Sequence, residues 1–269
     1  MFAKAVAPPY DRLSTKLLDA ALLARRSPFA GVGSGVAAAL KVTPAFVLVA
    51  LFAARRARAA LVGTATFASA TLIGAVAFPS ETRRYWTSVL WATSRVGNPH
   101  VAFNAQRLGT AGRGTVSTDF SNSIQRAVSW LPFTGPAQTV VWFALVATVG
   151  VVAIVRARRA LDIGNPLAAI TLASCATYAI SPITWGHHLF FLGPMTLLTV
   201  GDGRSRWRLG AAAIVAYLVM DPFEQGEGSF ISACRIALCV IAVAFMPIES
   251  STPTNHEPSP TRLQAVQPG

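Results

Sequence analysis

The chain has 269 residues, of which 53% are hydrophobic and 13% charged, and it carries a formal net charge of +12. This composition excludes an ordinary soluble protein of one or two domains and indicates a polytopic, all-α membrane protein. The arginines cluster at the ends of apolar runs, as at 55–58 and 156–159, which is typical of cytoplasmic loops and predicts no nucleic-acid partner.

Residues 1–29 are predicted to form an interfacial amphipathic segment and not a membrane span. One side of the helical pattern is apolar, and the other side carries Asp11, Lys16 and Asp19. We expect no cleavable signal peptide, because the first long apolar run begins only after Arg26. The apolar side consists of Leu13, Leu17, Leu18, Ala21 and Leu22.

Residues 30–53 are apolar but are interrupted at mid-length by Lys41-Val42-Thr43-Pro44, and arginines stand at both ends. Basic residues at both ends conflict with one simple crossing. Two half-helices folded at the break would place both ends in the cytoplasm, since broken helices are tolerated where they line a protein cavity. A single crossing with a proline kink is the alternative.

Residues 59–79 are predicted to span the membrane outward, which makes 80–136 an extracytoplasmic loop. We expect two surface-lying helices there, joined by an irregular, substrate-contacting stretch at 98–114. The first is capped by Ser80, and the second by Ser121 or Asp119. Their apolar faces consist of Tyr85, Trp86, Val89 and Leu90, and of Phe120, Ile124, Val128 and Leu131.

The rest of the chain is predicted to cross back and forth, so that the transmembrane portion covers 30–248. Every arginine-rich turn then falls on one side of the membrane, and the acidic turn 221–227 falls on the other. The tail, 249–269, is expected to be disordered and cytoplasmic. The spans are 137–155 inward, 166–183 outward, 189–200 inward, 209–220 outward and 229–248 inward.

The stretch Ser181-Pro-Ile-Thr-Trp-Gly-His-His188, called the octet below, ends one of the outward spans. Ionisable groups at a membrane boundary mark a site by default, so we predict that His187 and His188 serve function on the extracytoplasmic face. The alternative is an interfacial turn with satisfied imidazoles. We expect no metal here, because a third and fourth ligand do not follow at a sensible spacing.

The three cysteines all lie in apolar segments, at Cys175, Cys234 and Cys239. Their spacing fits neither a metal site nor a disulfide framework. We predict that they pack as small buried hydrophobes.

Four stretches together resemble the actinobacterial polyprenyl-phosphate-mannose-dependent α-mannosyltransferases of glycosyltransferase family 87. They are GVGSGVAAALKVTP, ARRARAA, FPSETRRYWTSVLWATSRVGNP and AISPITWGHHLFFLGP, in that order over residues 30–200. The resemblance implies a GT-C fold, a multi-pass plasma-membrane location and inverting transfer of mannose without a cofactor. The implied partners are the lipid donor and a glycolipid acceptor, such as a phosphatidylinositol mannoside or lipoarabinomannan precursor.

The resemblance also suggests roles for particular residues. His187 and His188 would hydrogen-bond the phosphate or the sugar, Trp185 would stack on a sugar face, and Lys41 and Arg95 would pair with the phosphate. The alternative is that Lys41 snorkels or bonds a helix end and that Arg95 binds lipid headgroups. Arg235, near the start of the last span, is expected to snorkel or to pack within the bundle.

This sequence departs from the family pattern at three points. Asn104 and Gln106 are the nearest match to the family's Asn-Gln-Ser triplet but do not reproduce it, and Gly186 stands where a polar residue is common. The family's catalytic carboxylate lies in a first extracytoplasmic loop that has no counterpart here. The extracytoplasmic carboxylates, none in the family's base motif, are Glu81, Asp119, Asp221, Glu224 and Glu227.

We therefore leave the catalytic base unassigned and expect a C-terminal portion of a mannosyltransferase, which would need a missing N-terminal half as its partner. Transfer by this chain alone is not expected. The alternative is a non-enzymatic membrane protein, a transporter or scaffold subunit, with its transport site at the helix break. No internal repeat of residues 30–79 supports that alternative.

Overall fold

The computed structural model describes residues 18–89, 123–132, 136–181, 193–200, 205–220 and 229–249. All regular elements within these ranges are helices. Residues 18–24 are helical and are called α1. The others are α2 Val32–Leu40, α3 Ala45–Ala53, α4 Ala57–Ala77, α5 Pro79–Arg84 with a π-helical turn Tyr85–Val89, α6 Ile124–Ser129, α7 Pro136–Asp162, α8 Pro166–Ile180, α9 Gly193–Val200, α10 Arg206–Met220 and α11 Ser229–Phe245.

The interruption at Lys41–Pro44 separates two short helices, as the folded-break interpretation predicts. Pro44 stands at the N-cap of α3. A residue there does not use its N–H group in the helix, so proline costs no hydrogen bond at this position. A Cβ atom on Gly31 would collide with the Ala59 carbonyl, and one on Gly63 would collide with Leu48. Both half-helices therefore run along the first half of α4, and their outer ends meet at its start.

Small residues permit this close packing of α2 on α4. A Cβ atom on Gly35 would lie well inside van der Waals contact distance of the Gly63 carbonyl oxygen. Glycines four apart on facing helices let two backbones approach in this way, which is a common packing mode of helices in membranes.

Asp19 anchors the start of α2 and corrects the prediction that it lies on a polar outer face. Its side chain is completely buried. Its Oδ1 accepts hydrogen bonds from the backbone N–H groups of Gly31 and Gly33, each at 3.0 Å, and its Oδ2 accepts one from Ser34 at 2.6 Å. These are N–H groups that a helix cannot satisfy internally, and a carboxylate also complements the positive end of the helix dipole.

The arginine-rich turns do gather at one end of the bundle, called the basic end below. Arg56, at the start of α4, donates from Nη2 to the carbonyl oxygen of Leu161 in the last turn of α7 at 3.0 Å. Arg208, on α10, donates from Nε to Thr199 at 2.9 Å and from Nη2 to Leu198 at 3.1 Å, both in the last turn of α9. These guanidinium groups donate hydrogen bonds to carbonyls that the helices leave unpaired, and their charge complements the negative ends of the helix dipoles.

Arg156 serves the C-terminus of α11 in the same way. Its Nη1 donates to Ala242 at 3.2 Å and to Val243 at 2.8 Å, and its Nη2 donates to Met246. In addition, the Asn165 side chain donates to the Glu249 carbonyl at 2.7 Å. The ends of α7, α9 and α11 and the starts of α4, α8 and α10 therefore share one end. The alternating membrane crossings of these segments stay a prediction.

The distribution of side chains is that of helices surrounded by lipid. Two helices, α4 and α7, are long and apolar enough to cross a membrane. Large apolar side chains on them point outward, with Val76 77% exposed and Ile73 68% exposed. Polar groups are instead found inside, including Asp19 and Arg235. A water-soluble protein shows the reverse distribution.

Two details of the loop prediction are wrong. Ser80 lies inside the first turn of α5, behind Phe78 at the N-cap position, so it is not the cap. The second helix, α6, does not lie on the surface, because Ile124 and Val128 are buried and it contacts α7, α8 and α11. Its N-cap position belongs to Ser123, and the predicted caps Asp119 and Ser121 lie outside the described residues.

The prediction for the cysteines is confirmed at two positions. Cys175 and Cys239 are fully buried, and Cys234 is half-buried. The Cys175 thiol lies 3.9 Å from the Met195 sulfur, which joins α8 to α9. These are packing contacts of soft, apolar side chains.

Candidate functional site

Lys41 is the one predicted site residue that falls within the described ranges. It lies at the turn between α2 and α3, is half-buried, and its backbone N–H donates to the Ala37 carbonyl at 3.1 Å. Since a helical residue rises about 1.5 Å, the nine residues of α2 carry Lys41 about 13 Å from the basic end, near the middle of the 21-residue α4. A cation at such depth needs a specific environment.

The other predicted residues lie outside the described residues. They are Trp185, His187, His188, Arg95, Asn104 and Gln106. Their proximity to one another and to Lys41 therefore stays a prediction. The structure fixes the position of the first residue of the octet, Ser181, which is buried and directly follows α8.

The end of the bundle at which α8 finishes, opposite the basic end, has buried polar groups. Gln138, in the first turn of α7, is 1% exposed and donates from Nε2 to the Val128 carbonyl at 3.0 Å. On α6, Gln125 and Arg126 are buried as well, and the Arg126 guanidinium lies 5.5 Å from the centre of the Trp130 ring. This opposite end is therefore polar and cationic beneath an apolar surface.

Arg235 adds a second buried guanidinium to the same half of the bundle. It is 2% exposed, lies in the second turn of α11, and donates from Nε to the Leu218 carbonyl at 3.2 Å. Leu218 belongs to the last turn of α10, so this bond caps that helix. The prediction that Arg235 packs within the bundle is confirmed, and the snorkelling alternative is wrong because the side chain does not reach the surface.

Glu81 is the one predicted extracytoplasmic carboxylate among the described residues. The Ser80 hydroxyl donates to its Oε2 at 2.6 Å, and this bond lowers the pKa of Glu81 below its ordinary value. A fully exposed carboxylate with a lowered pKa is a weak general base. The other four, Asp119, Asp221, Glu224 and Glu227, lie outside the described residues.

Aromatic contacts hold the segment after α4 against it. The Trp86 ring meets Phe67 edge-on with 6.3 Å between ring centres, and it meets Tyr85 at 5.5 Å. Desolvation raises the pKa of Tyr85 above its ordinary value, so its hydroxyl stays protonated at neutral pH. Within the described ranges, His, Cys, Asp and Glu side chains do not gather in a group of three that could hold a metal ion.

Sequence reasoning missed the roles of Asp19 and Arg126. The signal for Asp19 was the Gly-rich start of α2, whose backbone N–H groups need an acceptor. The signal for Arg126 was its position between Ile124 and Val128, two apolar residues that become buried. In a helix of six residues, a charge beside two buried residues is drawn into the protein with them.

Comparison with known proteins gives consistent matches. The sequence model of glycosyltransferase family 87 matches residues 13–182. The chain is 31% identical over 185 residues to a polyprenol-phosphate-mannose-dependent alpha-(1-2)-phosphatidylinositol mannoside mannosyltransferase of Mycobacterium tuberculosis, covering 68% of this chain and 39% of that protein. A pentamannoside mannosyltransferase with the same donor in its name, from a second strain of that species, is 30% identical over 206 residues, or 75% of this chain and 43% of the relative.

A phosphatidylinositol mannoside mannosyltransferase of Mycolicibacterium smegmatis is 26% identical, over 68% of this chain and 40% of the relative. The chain thus spans about two fifths of the length of these curated relatives. No solved structure matches significantly. The family match includes Lys41, Arg95, Asn104 and Gln106 and ends at Pro182, so the roles of Trp185, His187 and His188 rest on the octet alone.

Proposed function

We propose, since the chain belongs to glycosyltransferase family 87, that it forms the donor-lipid-binding part of a membrane α-mannosyltransferase with a GT-C-type helical fold. The proposed donor is polyprenyl-phosphate-mannose. The proposed acceptor is a glycolipid such as a phosphatidylinositol mannoside or lipoarabinomannan precursor. The observation that carries the proposal is the match to the family over residues 13–182, together with relatives whose names state this donor.

The reaction explains which residue types the site needs. An acceptor hydroxyl oxygen forms a bond to the anomeric carbon of mannose while the bond from that carbon to the donor phosphate breaks. The electron pair of the broken bond stays on the phosphate, whose negative charge grows, and the hydroxyl proton passes to a base. Preorganised donors and cations at the phosphate lower this barrier.

In the proposed site, His187 and His188 hydrogen-bond the donor phosphate or its sugar, and Lys41 and Arg95 pair with the phosphate. Trp185 stacks on the mannose ring. Asn104 and Gln106, which come nearest to the family's triplet, are proposed to hydrogen-bond the substrate. The base is unassigned, because Glu81 is exposed and its pKa is lowered.

The buried cations of the described residues support an anionic ligand at the opposite end of the bundle. Arg126 and Arg235 are 4% and 2% exposed. They lie in the half of the bundle where α8 ends and the octet begins at Ser181. Two desolvated guanidinium groups set a positive potential there, which favours a phosphate over a neutral solute. A half-buried Lys41 near mid-depth adds to it.

The alternative function is that of a non-enzymatic membrane protein that carries a small solute. The folded break between α2 and α3 is the observation in its favour, because discontinuous helices form midplane sites in transporters. Nothing in that geometry requires a lipid ligand, so the two functions differ in what they bind.

The test uses the full chain in lipid nanodiscs and in proteoliposomes. Nanodiscs are incubated with polyprenyl-phosphate-mannose carrying labelled mannose, with and without phosphatidylinositol mannoside, and proteoliposomes are assayed for solute flux. We expect retention of the labelled donor and no flux. Flux of a solute without donor retention would overturn the proposal in favour of the transporter, and absence of donor retention would overturn it outright. Transfer to the acceptor would show that this chain also supplies the base.

A further inference from the structure

At the basic end, turns from three distant parts of the sequence enclose a cleft of about 720 Å³. The turn after α1 contributes Arg26, the turn between α3 and α4 contributes Arg55, and the turn between α7 and α8 contributes Gly164. The size is that of a site for a small ligand or a lipid headgroup. The cleft lies at the opposite end of the bundle from the proposed donor site, so it needs its own explanation.

The charge in this basic cleft is strongly unbalanced. Its described lining includes four arginines, namely Arg26, Arg55, Arg56 and Arg58, and one acidic residue, Asp162. The Asp162 carboxylate is drawn toward a different cation, because its Oδ2 lies 3.9 Å from Arg158. The described lining therefore carries an excess of positive charge, which favours an anionic ligand.

The backbone of the cleft adds donors for an anion. The 21-residue helix α4 starts here, with Ala57 and Arg58 in the lining, and the residue at its N-cap, Arg56, forms no side-chain capping bond. The first N–H groups of a helix are unsatisfied within it and point toward an anion, with the dipole in support. Guanidinium groups and uncapped N–H groups therefore face the same space.

Two of the arginines adopt the left-handed backbone conformation, which is unfavourable for residues other than glycine. Arg26 and Arg55 have φ angles of 52° and 59°, and each follows the end of a helix. Gly164, at the corresponding position after α7, has φ 78°, and glycine is the residue that accepts this conformation without strain. Strained residues that cluster in one cleft point to a function for their side chains.

We propose that this basic cleft binds the phosphate group of an anionic membrane lipid, in the leaflet that the arginine pattern predicts to be cytoplasmic. Basic pockets between membrane helices on that side bind such headgroups. The competing structural explanation is that the arginines only neutralise the negative ends of the α1, α3 and α7 dipoles. That explanation requires no ligand, so the two differ in their response to lipid.

The test measures the melting temperature of the full chain in nanodiscs of phosphatidylcholine alone, of phosphatidylcholine with phosphatidylglycerol, and of phosphatidylcholine with inorganic phosphate in solution. We expect phosphatidylglycerol to raise the melting temperature by roughly 5 °C, as a saturating ligand does. Inorganic phosphate should have little effect. An equal rise with phosphate alone would overturn the assignment to a lipid.

Variants distinguish a site from general surface charge. Arg26→Gln with Arg58→Gln should remove at least about half of the lipid-induced shift. Arg83→Gln with Arg84→Gln should leave it intact, because this exposed pair lies on α5, which packs against the half of α4 away from the basic end. Arg55→Gly keeps the backbone conformation. It should therefore melt at the same or a higher temperature in phosphatidylcholine and yet lose part of the lipid shift.

An unchanged lipid shift in both cleft variants would overturn the proposal. An equal loss in the Arg83 and Arg84 pair would overturn it too, because the effect would then be non-specific. The donor retention assay described above is independent of these measurements, so a failed lipid site leaves the proposed transferase function untouched.

Discussion

The guanidinium of Arg56 donates to the carbonyl oxygen of Leu161 at 3.0 Å and joins two turns that stand 105 residues apart in the sequence. Arg156 and Arg208 form the same kind of bond to the last turns of α11 and α9. Arginines of the predicted topology signals therefore also stabilise the fold, because they bind the C-terminal ends of neighbouring helices. They close the bundle at one end by satisfying carbonyls that helix geometry leaves open.

Arg156→Leu should destabilise the protein by about 3 kcal/mol, because it removes the bonds from one charged donor group to three carbonyls of α11. Thermal unfolding in detergent micelles measures the change. The matched control is Arg158→Leu, two residues along the same helix, where a half-exposed side chain forms only a long ion pair at 3.9 Å. Equal melting temperatures for the two variants would contradict the capping role.

Asp19→Asn should cost about 2 kcal/mol or more, although it barely changes the shape of the side chain. The amide presents one acceptor oxygen and turns an NH₂ group toward backbone donors that the carboxylate now accepts from. Unfolding of the purified variant measures the loss. Asp162→Asn, at a 60% exposed side chain, should change stability by less than about 0.5 kcal/mol, and a similar loss at both positions would argue against the anchoring of α2.

Gly35→Ala should destabilise the packing of α2 on α4 by at least about 2 kcal/mol, since the added methyl group meets the Gly63 carbonyl and the Thr66 Cβ atom, neither of which can move without moving the α4 backbone. Gly210→Ala is the control, because a Cβ atom there has no neighbour within 4 Å. Alanine in that exposed helical position should be neutral or slightly stabilising. The melting temperature of each purified variant in detergent micelles reports both outcomes. A Gly35→Ala variant as stable as the Gly210→Ala variant would contradict the packing.

The apolar helical segments, the gathering of their arginine-rich turns at one end and the break at Pro44 could be predicted because they depend on local rules. Apolar length, arginine placement and the missing N–H of proline each act within a few residues. The burial of Asp19 and of α6 could not be predicted in this way. Each depends on partners far along the chain, such as Gly31 for Asp19 and α8 and α11 for α6.

The arginine pattern predicts the orientation of the bundle in the membrane, and cysteine labelling tests that prediction. In a variant without native cysteines, Ser80→Cys lies at the turn just past the end of α4, and Asp162→Cys lies at the basic end. An impermeant maleimide should label Ser80→Cys in intact cells and Asp162→Cys only after permeabilisation. The opposite pattern would reverse the predicted topology and with it the cytoplasmic assignment of the basic cleft.

The candidate site was less predictable than the fold. The roles of the octet and of Lys41, which come from motif matching, stay predictions; the sequence correctly placed Arg235 within the bundle but gave no notice of Arg126. Both side chains are buried, and a buried charge within a membrane bundle is costly and marks a candidate functional residue. Sequence patterns show that a charge lies near a span, whereas the helix packing decides whether water or protein surrounds it.

Donor retention in histidine variants shows whether the octet holds a site for polyprenyl-phosphate-mannose. The full chain in nanodiscs is compared with His187→Ala plus His188→Ala, and with His256→Ala in the tail as the matched control. We expect the double variant to lose at least tenfold in donor affinity, about 1.4 kcal/mol, and the tail variant to bind the donor as the parent chain does. Unchanged donor affinity in the double variant would contradict it.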